Sequence, residues 1–193
     1  MSRSRMLLLA AAILAAASSA ALAARPPIQT VVEVHDSQAS IASFETANEP
    51  TLAGAVRTLG VPSVCRTIPG LPSFASASWR RLGLRMFFGT YGVLPRKGPC
   101  AASNQVRFDS AYLTGRSWRT RGLRVGDSVA TLRRRYPRAV RKRYRPGVRP
   151  IAGWWLVVQV SRVPDLHRFP ALLATTSHGR VTGFVVTLGL EGD

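Results

Sequence analysis

Gly122-Leu-Arg-Val-Gly-Asp-Ser-Val-Ala-Thr-Leu-Arg-Arg-Arg-Tyr-Pro-Arg-Ala-Val140 is the stretch from which the rest of the chain is read. Asp127 carries a short carboxylate of the kind that accepts the free N–H groups of a first helical turn, so it reads as an N-cap. Val129, Leu132 and Tyr136 recur at i, i+3 and i+7, one face of a short helix. Pro137 ends that helix, because proline lacks an N–H and clashes with the preceding turn.

A second stretch has the same style. Pro50 suits a first helical turn, where its missing N–H costs nothing. Leu52, Ala55, Val56 and Leu59 follow at helical spacing, Gly60 suits a helix end, and Pro62 prevents continuation. Leu52 matches Val129, Ala55 matches Leu132 and Leu59 matches Tyr136, all at one offset, and Trp79 and Trp155 fall near it. Each helix is followed by a proline breaker, a Trp-bearing strand and two further strands. The spacing therefore predicts an α+β fold, a tandem repeat of a short helix plus a small antiparallel sheet. The two sheets could join into one curved surface with helices on its convex side. The alternative is one irregular α+β domain. The expected divisions are residues 1–24 as export signal, 25–40 as N-terminal segment, 41–116 as first repeat and 117–190 as second.

Strands are expected at 28–34, 76–81, 84–89, 106–113 and 153–161, with a hairpin of 169–177 and 180–190 across His178-Gly179. Leu84, Met86 and Phe88 alternate against Arg85 and Phe87. Residues 35–39 read as a turn or linker, 90–102 as a long loop, and 138–150 as a basic, turn-rich connection.

Arg3 and Arg5, the apolar run from Met6 to Ala17 and the Ala21-Leu22-Ala23 site compose a secretory signal. No later stretch is apolar over ~18 residues, so no membrane anchor is expected after cleavage. The predicted localisation is secreted or envelope-associated. The chain carries 27 Lys and Arg against 9 Asp and Glu, a net charge of +18. The arginine preference, with abundant alanine, also matches a GC-rich coding sequence. Such a surface is drawn to anionic polymers or lipids at low salt. Cys65 and Cys100, in an exported chain, are expected to form a disulfide.

The Gly122–Pro137 stretch resembles the β-lactamase inhibitory protein-like fold, shared with small outer-membrane assembly lipoproteins of the SmpA/OmlA type. There a Gly-rich approach and a short amphipathic helix precede a small antiparallel sheet. Thr51–Pro62, ending Leu59-Gly60-Val61-Pro62, is similar in style, as are secreted actinobacterial proteins with this pattern. The resemblance implies a scaffold that binds proteins or envelope components and has no catalytic centre. It departs in lacking a lipobox cysteine, and no residue matches an inhibitor's contact loop.

Catalytic material is sparse. No G-x-S-x-G, H-E-x-x-H, P-loop or Rossmann glycine pattern occurs. Asp165 and His167 are the remaining candidates for a hydrolase, without a placed nucleophile. No cofactor or metal site is expected. The positive signal is a basic rim of Arg133, Arg134, Arg135, Arg138, Arg141, Lys142, Arg143, Arg145 and Arg149, interleaved with Tyr136 and Tyr144. Guanidinium groups match phosphate and carboxylate oxygens bidentately. Trp154 and Trp155 are adjacent, so on a strand they face opposite ways, and one of them faces away from the core. The reading is a secreted, non-enzymatic binding module for an anionic envelope polymer, a lipid surface or a secreted protein. The alternative is an inhibitor of a secreted enzyme. Nucleic acid is not expected as the partner of an exported chain.

Overall fold

Period-two alternation governs more of this chain than the helical period does. The computed structural model describes residues 27–35, 38–90, 96–144, 151–157 and 171–188, with the backbone alone for 142–144, 151 and 152. The export signal 1–24 lies outside the described residues. Three short strands, β1 (Val32–His35), β2 (Gln38–Ile41) and β3 (Phe44–Glu45), form a small antiparallel sheet. Helix α1 (Leu52–Leu59) leads into β4 (Val64–Ile68), β5 (Leu71–Trp79), β6 (Leu84–Gly89) and β7 (Arg107–Leu113). A small hairpin, β8 (Arg119–Thr120) and β9 (Leu123–Arg124), precedes helix α2 (Val129–Arg135). The last strands are β10 (Val140–Tyr144), β11 (Ile151–Val157), β12 (Ala171–Ser177) and β13 (Arg180–Thr187).

All of β4–β7 and β10–β13 belong to one eight-stranded sheet of order β10-β11-β12-β13-β7-β6-β5-β4. Every pairing in it is antiparallel, and β4 and β10 are its outermost strands. This overturns the expected tandem repeat of helix-plus-sheet units: the chain is mostly β, built on one large sheet. The reason is one of size. Helices of 8 and 7 residues are only about 10–12 Å long. Eight strands at ~4.8 Å span roughly 34 Å. Two such helices cannot form a layer over that width, and other elements share the work. Phe44 from β3 packs edge-on against Phe88 of β6 and tilted against Phe108 of β7, at centroid distances of 6.4 and 5.7 Å. Trp118 and Leu123, at the β8–β9 hairpin, are fully buried in the same cluster as Leu59 and Leu132 of the helices.

The covered face of the sheet presents Ala77, Trp79, Leu84, Met86, Phe88, Phe108, Ala111, Leu113, Phe184, Val186, Leu172 and Ala174. Trp79 donates its indole Nε1–H to Gly60 O at 2.8 Å, tying the end of α1 to β5. Gly60 has φ +83° and its N–H bonds Val56 O, as the sequence suggested for a helix end. Disulfide Cys65–Cys100 joins β4 to the connection before β7.

Local details differ from expectation. Ser128, not Asp127, caps α2: its Oγ accepts from Thr131 N at 3.1 Å. Asp127 instead turns back, its Oδ2 accepting from Arg124 N at 2.8 Å. Thr51 caps α1, leaving Pro50 before the helix. Val140–Tyr144, read as part of a basic loop, is a strand, as is Val64–Ile68. The expected turn at 35–39 is narrower, with β1 reaching His35 and β2 starting at Gln38.

Candidate functional site

The registers place one residue per strand in a row across the sheet face opposite the helices. That row is Val64, Ser78, Arg85, Tyr112, Val185, Leu173, Trp155 and Val140. The next row on the same face is Arg66, Ser76, Phe87, Ser110, Thr187 and Ala171. Side chains two apart on a strand share a face, so both rows belong to one surface. Its character changes along the sheet. Val185 and Leu173 are buried, whereas Arg66 and Arg85 are exposed and Ser76, Ser78, Phe87 and Tyr112 are half-buried.

The β4–β7 half of this face is hollowed. Serines on β5 keep the floor low, while bulkier side chains on β4 and β6 stand on either side. One hollow, of about 390 Å³, is lined by Ser78, Arg80, Gly83, Leu84, Arg85, Phe87, Tyr112 and Thr114. Beside it a second, of about 420 Å³, is lined by Val64, Arg66, Thr67, Ile68, Pro69, Ser76, Ser78, Arg80, Arg85 and Phe87. Ser78, Arg80, Arg85 and Phe87 line both. The ring of Phe87 meets that of Tyr112 edge-to-face, with centroids 5.5 Å apart and planes at 75°.

Arg80 reaches this place through the 3-10 turn Arg80–Leu82 between β5 and β6. Gly83 closes that turn in the left-handed region, at φ +59°, and a Cβ there would lie 2.5 Å from Gly115 N. Only glycine meets both demands. The Arg80 N–H is held by Ser63 Oγ at 3.2 Å.

No Asp or Glu is among the described residues lining either hollow. Arg66, Arg80 and Arg85 form no ion pair among the described residues, where the pairs are His35–Glu33 and Arg57–Glu49. Guanidinium groups stay charged throughout the physiological range. The arrangement is a cationic, partly aromatic depression with hydroxyls at its floor. It suits an anion attached to an apolar or ring-bearing body.

The predicted basic rim lies elsewhere. Arg133, Arg134 and Arg135 are exposed at the last turn of α2, where the helix dipole favours cations. Leu132 of α2 joins the core on the covered side of the sheet, so these arginines flank the helix layer rather than the hollowed face. Arg138 and Arg141 are exposed. Arg141 is in register with Trp154. The side chains of Lys142 and Arg143, and Arg145 and Arg149 entirely, lie outside the described residues, as do Asp165 and His167. Trp154 packs on the core cluster. Trp155 is in register with Leu173 on the opposite face, four strands from Arg85. Among the described residues no group of three His, Cys, Asp or Glu side chains could hold a metal ion.

The sequence marked no site here, although the strand pattern bears on it. The alternation Leu84-Arg85-Met86-Phe87-Phe88 already turns Arg85 and Phe87 away from the core. Arg66 was missed because β4 was not recognised as a strand.

No protein-family model matches the chain, and no curated protein matches it. Among solved structures, the chain is similar to an extracellular protein containing an SCP domain from Bacillus anthracis str. Ames. The TM-score is 0.41 and the identity 10%, over 77% of this chain and 47% of that one. The chain thus spans about half the length of that protein. At this level the likeness carries no conclusion about fold or chemistry. The Cys65–Cys100 disulfide is compatible with an oxidising, extracellular compartment. Among the described residues no helix is long and apolar enough to cross a membrane.

Proposed function

We propose that this chain is a secreted, non-enzymatic binding module that recognises an anionic component of the cell envelope. Its contact surface is the hollowed β4–β7 face. The observation that carries this reading is the convergence of Arg66, Arg80 and Arg85, without ion-pair partners among the described residues, beside Phe87 and Tyr112. Arginine and aromatic side chains dominate the energetics of interfaces. The N-terminal signal pattern, the disulfide and the net charge of +18 support action outside the cell.

The test is retention of the mature chain on purified cell wall at low and high salt. Retention at low salt that is released at high salt, and is lost on replacing Arg66, Arg80 and Arg85 together by Ser, supports the reading. Retention that ignores both salt and the triple substitution overturns it. The same experiment with Arg141, Lys142 and Arg143 replaced by Ser measures what the β10 cations add.

The sequence resemblance of Gly122–Pro137 supports a second reading, an inhibitor of a secreted enzyme. Its mark is a stoichiometric complex that alters that enzyme's rate. Absence of any such complex with proteins of spent medium counts against it.

A further inference from the structure

The two hollows are not independent, and their shared wall constrains the ligand. Arg80 and Arg85 stand where the hollows meet. Tyr112 belongs only to the first and Arg66 only to the second. Arg66 and Arg85 are two strands and one same-face step apart, about 12 Å between Cα atoms at ordinary sheet spacings. A small lone anion would use the shared wall and leave Arg66 idle. A ligand that fills the whole depression needs a charge at the wall, a second charge near Arg66, and a bulky unit in each hollow.

We infer, building on the reading above, that the site takes two consecutive units of a linear acidic polysaccharide, a chain of carboxylated sugar rings. The carboxylates pair with the guanidinium groups, bidentately where geometry permits. Apolar faces of the sugar rings pack on the Phe87–Tyr112 pair and on Ile68. Hydroxyls of Ser76 and Ser78 both donate and accept, which matches sugar hydroxyls. Phosphodiester chains would satisfy the charges, but an edge-to-face aromatic pair offers no parallel stack of platforms for successive bases.

The experiment is titration of the mature chain with galacturonate oligomers of one to four units at low salt. Neutral gluco-oligomers and oligothymidylates of matched charge serve as parallel arms. Affinity is expected to rise from one unit to two and then level off. Arg66→Ser should remove the gain of the second unit, so that two units bind no more tightly than one. Arg85→Ser should weaken every length about tenfold, the size of a lost charge-assisted hydrogen bond. Both side chains are exposed, and unchanged melting temperatures confirm that the variants fold. Oligouronate affinity independent of length, or oligothymidylate binding as tight as oligouronate, overturns this inference while leaving an anion-binding module in place. Binding of neutral oligomers as tight as that of oligouronates overturns it also. Failure of every anionic oligomer to bind at low salt removes the proposed function together with it.

Discussion

Gly183 lies so near Leu113 that a β-carbon on it would sit 2.6 Å from the Leu113 carbonyl oxygen. The contact is at the seam where β13 meets β7, which among the described residues is the pairing that joins β10–β13 to β4–β7. Backbone cannot yield there as a flexible side chain would. Gly183→Ala is therefore expected to destabilise the fold by about 2 kcal/mol, the usual cost of overpacking. Gly179 is the contrast. It has φ +71° but open space around its missing Cβ, so Gly179→Ala should cost only about 1 kcal/mol of conformational strain. Urea unfolding of both variants checks the order; a Gly179 effect larger than that of Gly183 would refute the seam argument.

The start of α2 separates two neighbouring residues by function. Ser128→Ala should cost about 1 kcal/mol, a lost N-cap, and should speed hydrogen exchange at the Thr131 amide. Asp127→Ala should instead speed exchange at the Arg124 amide, which donates to the Asp127 carboxylate. Protection of Thr131 that depends on Asp127 and not on Ser128 would return the capping role to the aspartate.

The Cys65–Cys100 bond spans 35 residues. Closing a loop of that length is worth about 4 kcal/mol in the chain-entropy model. Replacing both cysteines by Ala is expected to lower the melting temperature by about 10 °C. Reduction with dithiothreitol should lower the melting temperature of the parent and leave the double variant unaffected. A parent that melts identically with and without reductant would show that the bond does not form.

Tyr136 supplies a pH dependence. Burial, the largest influence, raises its phenol above the ordinary 10.0, while the Thr120 hydroxyl, 3.4 Å away, and the Arg121 charge pull the other way. The folded state thus holds the proton more tightly than the unfolded chain. Its contribution is complete below the unfolded pKa and is lost as pH rises toward and through the folded one. Tyr136→Phe should flatten the loss of stability above about pH 10, read from melting curves across alkaline buffers. Parallel alkaline decline in both proteins would exclude Tyr136 as its source.

Much of this was legible in the residues, and the failures have physical causes. The two helices were found because Leu52, Ala55 and Leu59 in one, and Val129, Leu132 and Tyr136 in the other, keep helical spacing, and Leu52, Ala55, Leu59 and Leu132 are buried. The outward turn of Arg85 and Phe87 followed from alternation. The mistake was one of proportion: a helical period is conspicuous in sequence, but two turns of helix weigh little against eight strands. Val64–Ile68 and Val140–Tyr144 escaped because each is outermost in the sheet among the described residues, where apolar alternation is weak. Arg66 and the hollow it borders went with the first. Neither hollow could be found by spacing, since it gathers residues from β4 to β7 that only register brings side by side.

That outermost placement has a last consequence, for behaviour in concentrated solution. An open strand edge is a template on which another chain can add its own strand. Among the described residues the outermost strand on one side is Val140-Arg141-Lys142-Arg143-Tyr144, with three cations in a row. Two copies approaching edge to edge would align like charges, so the residues that make this strand hard to recognise also discourage growth into fibres. Salt weakens that protection by screening, and high ionic strength is where self-association of this protein should first be seen.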